Sequence, residues 1–140
     1  MRNIKFRVWN IENNIMFYPD KYHSLFFRQG GEEPDFWHMR IEKMPLKICD
    51  NKSGILMQYT GLKDKTGKEI YEGDILKSIT LDNKEHFQDV YFKEGAFCLR
   101  TGFDTTLGVH LYKRRIIAHE VVGNIYENPE LLDSESLNNV

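Results

Sequence analysis

A chain of 140 residues with 41% hydrophobic content is long enough for one ordinary packed core, or for a small barrel carrying an extra lobe. A formal charge of −2 gives no global electrostatic pull towards nucleic acid or an anionic membrane, and two cysteines, Cys49 and Cys98, are too few for a disulfide scaffold. Nine Phe and seven Tyr, side chains suited to half-buried pleated surfaces, lean the composition towards β structure.

The opening MRNIKFRVWN alternates Ile4, Phe6 and Val8 with Lys5, Arg7 and Trp9, which predicts a strand with one apolar face. It has no continuous apolar region, so it reads as neither a signal peptide nor a membrane anchor. Asn10 to Asn14 turn the chain, and Ile15 to Tyr18 bring it back as a hairpin ended by Pro19-Asp20. From Lys21 to Lys47 the pattern weakens. An aromatic run at Tyr22, Leu25, Phe26 and Phe27 leads into the polar loop Gln29 to Pro34, and Phe36, Trp37, Met39 and Ile41 then fit either a short strand or a helical turn. The segment reads as an insertion on a β scaffold.

Residues 58 to 74, QYTGLKDKTGKEIYEGD, carry the clearest local signals. Ile55, Met57 and Tyr59 alternate with Leu56, Gln58 and Thr60 as a strand should. Asp64-Lys65-Thr66-Gly67 then joins a turn-initiating Asp to a Gly suited to positive φ, a hairpin signal. Ile70 and Tyr71 lead to a second punctuation at Glu72-Gly73-Asp74, where Gly73 can take positive φ and Asp74 can bond its own neighbouring backbone.

The rest reads as a meander. Ile75, Ile79 and Leu81 mark a strand, Asp82 to Glu85 a turn, Phe87 to Phe92 a strand, Lys93-Glu94-Gly95 a tight turn, and Ala96 to Thr101 a third strand with Cys98 as a small core residue. A Gly-bounded polar loop from Thr101 to Gly108 follows. Val109 to Tyr112 and Ile116 to Tyr126 read as strands separated by Lys113-Arg114-Arg115. Strands at this spacing predict a small barrel. Asn128-Pro129-Glu130 predicts a short helix to about Leu132, and Asp133 to Val140 has no pattern and reads as a disordered tail. The expected division is therefore an N-terminal lobe over 1–54, a barrel over 55–132 and a tail over 133–140.

Three ordered motifs, RNIKFRVWN, QYTGLKDKTGKEIYEGDIL and VVGNIYENPELL, resemble the N-terminal, central and C-terminal signatures of the YopX family of phage and prophage proteins. The resemblance implies a β-rich α+β fold in which an N-terminal hairpin lobe packs on an SH3-like C-terminal barrel. It also implies a phage context within the bacterial host. It carries over no catalytic or binding residue, and residues 20–54 contain none of the three motifs.

The chemistry-bearing residues have structural readings beside the functional ones. Glu69, Glu72 and Asp74 bring three carboxylates together, as a metal-dependent hydrolase requires, but acids flanking a Gly turn are commonly solvated. His23, His38, His86, His110 and His119 lack the short spacings of local zinc modules. No Ser or Cys sits in a Gly-flanked elbow, and no glycine loop is built to cradle phosphate. The expectation is no enzyme, no cofactor and no metal.

Two binding readings remain. Phe26, Phe27, Phe36 and Trp37 flank the polar loop and form a candidate protein-binding surface for a host or phage partner, with inward packing as the structural alternative. Tyr112, Lys113, Arg114 and Arg115 join an aromatic to three cations and form a candidate nucleic-acid site, with a solvated turn as the alternative. Self-association by strand addition is a further option. The sequence thus points to a cytoplasmic, non-catalytic interaction module first, a nucleic-acid-binding barrel second and a metal-dependent hydrolase last.

Overall fold

The computed structural model describes residues 3–19, 24–27, 37–40, 54–80, 83–100, 105–107 and 116–133. Among them the protein is mainly β, built from antiparallel strands, with one helical segment over residues 130–133. The chain divides into two compact units. Unit 1 contains Met1–Ile4 and Gln58–Val140, and unit 2 contains Lys5–Met57.

In unit 2, β1 (Phe6–Asn10) and β2 (Ile15–Phe17) form the expected hairpin, with Val8 opposite Phe17 and Asn10 opposite Ile15. Asn14 closes the turn at φ 53°, a conformation that Asn tolerates better than most residues. Burial corrects the expected one-sided pattern. Arg7, Val8, Trp9 and Asn10 are all buried, whereas Ile4 precedes the strand and is 60% exposed. Arg7 escapes the polar face by donating to Tyr18 Oη at 3.4 Å and to Met57 Sδ at 3.7 Å. The ambiguous aromatic segments are strands: β3 (Ser24–Phe27) pairs antiparallel with β4 (Trp37–Arg40).

β5 (Gly54–Lys63) contributes its first residues to unit 2 and the rest to unit 1, in a sheet ordered β2-β1-β5-β6. Its partner β6 (Glu69–Tyr71) is followed by β7 (Asp74–Thr80), β8 (Glu85–Lys93), β9 (Ala96–Leu99), β10 (Thr105–Thr106) and β11 (Ile116–Asn124). These last five strands form a sheet ordered β10-β9-β8-β7-β11. The meander β7-β8-β9 is as expected, and its second turn is Glu94-Gly95, with φ of 50° and 82°. Two positive φ values give a hairpin turn whose twist matches that of the strands it joins.

The core of unit 1 gathers Ile70, Leu76, Val90, Leu99, Leu107 and Val121, with Phe97 packed against it. Leu107 overturns part of the expected loop from Thr101 to Gly108. Thr105 and Thr106 pair with Leu99 and Cys98, and the Leu107 amide donates to the Phe97 carbonyl at 2.7 Å, which turns the leucine inward. Cys98 is buried, as expected. The expected strand from Val109 to Tyr112 lies outside the described residues, as do 134–140 of the tail.

Candidate functional site

The central signature is a set of backbone devices. β5 and β6 pair at Tyr59–Tyr71 and Lys63–Glu69, so the β5 side holds two more residues than its partner between these pairs. Thr60, Gly61 and Leu62 absorb them. Gly61 takes φ 87°, while the Thr60 hydroxyl donates to the Ile70 carbonyl at 2.8 Å and accepts from the Leu62 amide at 3.2 Å. The hairpin that follows closes with Asp64 N–H to the Lys68 carbonyl at 2.8 Å and Gly67 N–H to the Asp64 carbonyl at 3.0 Å. Gly67 at φ 89° completes a three-residue loop of the type-I-plus-glycine kind.

Asp64 organises that loop. Its Oδ1 accepts from Thr66 N–H, Thr66 O–H and Lys68 N–H at 2.7–2.9 Å, and its Oδ2 accepts from Val121 N–H of β11 at 2.9 Å. Burial alone would push this carboxyl up, but the Val121, Thr66 and Lys68 donors together hold it down at about 2. The turn is thus fixed on β11 rather than free in solvent. Lys65 adds a backbone bond to the His119 carbonyl at 3.0 Å and an ion pair to Glu120 at 2.6 Å.

The three acids proposed for hydrolytic chemistry are each engaged in holding the chain. Glu69 accepts from Tyr71 O–H at 3.0 Å, Glu72 from Gln58 N–H at 2.7 Å, and Asp74 from Tyr71 N–H at 2.8 Å. Burial raises the Glu72 carboxyl, with the Gln58 amide opposing it. Gly73 at φ 78° lets the turn reach β8 and the residue that follows β11, its amide donating to the Val90 carbonyl and its carbonyl accepting from Ile125 N–H, each at 2.8 Å. Among the described residues no three His, Cys, Asp or Glu side chains converge on a possible metal position.

Two polar clusters escaped the sequence reading. Register places Ser78 of β7 opposite both His119 of β11 and His86 of β8, and the Ser78 hydroxyl meets His119 Nδ1 at 2.7 Å. Ser78 is 1% exposed, so this pair offers no accessible nucleophile. On the β8–β9 ribbon, Arg100 lies 4.6 Å from the Tyr91 ring centroid and 3.3 Å from the Asp89 carboxylate. Burial raises the Asp89 carboxyl and the Arg100 charge opposes that rise. Strand register, not proximity in sequence, makes both clusters.

The C-terminal signature is likewise structural. Asn124 Oδ1 accepts from Tyr126 and Glu127 N–H at 3.0 and 2.9 Å, and its Nδ2 donates to Glu127 Oε2 at 2.7 Å. Leu131 N–H reaches the Asn128 carbonyl at 3.2 Å, the bond that begins the helical segment. Gly123 is required by space, because a Cβ there would come within 2.9 Å of the Asn128 side chain.

Of the proposed protein-binding residues, Phe26 and Phe27 lie in β3 and Trp37 in β4, and the register sets Phe27 opposite Trp37 and Phe26 opposite His38. Phe36 is outside the described residues. So are Tyr112, Lys113, Arg114 and Arg115.

Fold and site together define a mainly β protein whose motif residues serve its turns and strand edges. The family described as YopX protein matches residues 5–133. The chain belongs to this family. It is 30% identical over 142 residues to the SPbeta prophage-derived uncharacterized protein YopX of Bacillus subtilis (strain 168), covering 94% of this chain and 97% of that protein. Crystal structures of protein EF1440 from Enterococcus faecalis and of protein yopX from Bacillus subtilis each match with a TM-score of 0.65 at 27% identity. Both cover 94% of this chain, and 99% and 97% of their own. Among the described residues no helix is long and apolar enough to cross a membrane.

Proposed function

We propose that this chain is a phage- or prophage-encoded accessory protein that works in the bacterial cytoplasm as a non-catalytic protein-interaction module on host or phage machinery. The prophage origin of the Bacillus subtilis relative supports the context. One observation carries the non-catalytic reading: Asp64, Glu72 and Asp74 of the signature each hold a backbone amide. A carboxylate oxygen that accepts a backbone N–H spends a lone pair on structure, which favours a holding role for these acids. The five-stranded sheet is read as an SH3-like barrel. A meander whose last strand returns beside its first, with register shifts in β11 at Ile116/Ala118 and Val121/Gly123, supports that reading, because such shifts bend a strand.

The partner surface is assigned to the β3–β4 hairpin, where Phe27 and Trp37 occupy opposed positions in a segment without family motifs. The test is affinity capture of the tagged full chain from host lysate, with and without nuclease, followed by mass spectrometry. One dominant, nuclease-resistant protein is expected. Recovery of many DNA-associated proteins that nuclease abolishes would replace this reading with nucleic-acid binding through Tyr112 to Arg115, and a turnover activity that survives purification would replace it with catalysis.

A further inference from the structure

We draw no further inference here: the strongest candidate, the side-chain cluster on the β8–β9 ribbon in which Arg100 stacks on Tyr91 and pairs with Asp89, carries nothing because nothing in the structure shows what covers it.

Discussion

Asp64 shows at the level of one residue how a turn acid becomes a structural part. Four hydrogen bonds lower its carboxyl from an ordinary 3.8 to about 2, which corresponds to about 2 kcal/mol of folded-state stability. Because the folded value lies below the unfolded one, this stability is present above about pH 4 and lost as pH falls towards about 2. Glu72 and Asp89 are raised by burial, so their contribution has the opposite sign. It is greatest below their ordinary values and is lost as pH rises through their folded ones. Urea midpoints measured across pH should therefore rise gently on mild acidification and then fall steeply below about pH 4. Asp64→Ala should lose about 2–4 kcal/mol at neutral pH and flatten the acid limb, since four donors are left without their acceptor. An unchanged acid limb in that variant would assign the pH dependence to another group.

At the scale of elements, the C-terminal signature and the β9–β10 connection make separate demands. Gly123 takes no positive φ, so its requirement is packing against Asn128. Gly123→Ala should cost about 1–3 kcal/mol, and Asn128→Gly in the same chain should cost much less than its effect alone, a non-additivity that a double-mutant cycle reads directly. Leu107→Ala should cost about 2–4 kcal/mol in chemical denaturation, as expected for a leucine in the core cluster. If Leu107 were merely a loop residue, as its polar neighbours in sequence suggest, the loss would stay below about 0.5 kcal/mol.

For the whole molecule, the proposed function separates the motif residues from a partner surface on the β3–β4 hairpin. The described residues of the central and C-terminal signatures hold turns and an edge, while the β3–β4 hairpin lies between the N-terminal and central motifs. Phe27→Ala with Trp37→Ala should therefore reduce recovery of a nuclease-resistant partner at least roughly tenfold, the loss of two aromatic anchors, while leaving the urea midpoint near wild type. Unfolding of that double variant would place the two aromatics in packing instead.

Local chemistry was legible in the residues themselves. Asn14, Gly67 and Gly73 were readable as turn positions because positive φ is a property of one residue and its side chain, and the strands β1, β2, β5, β7, β8 and β9 were readable because alternation acts between near neighbours. Burial of both faces of β1, the inward turn of Leu107, the Ser78–His119 pair and the attachment of Asp64 to Val121 were not. Each joins groups brought together by strand register, and that register is set by the packing of the entire sheet, which no window of sequence contains. The sequence by itself determined where the chain bends and which family it resembles. Only the tertiary structure decided that Asp64 and Glu72 hold backbone from other strands, because what a carboxylate does depends on which distant amides reach it.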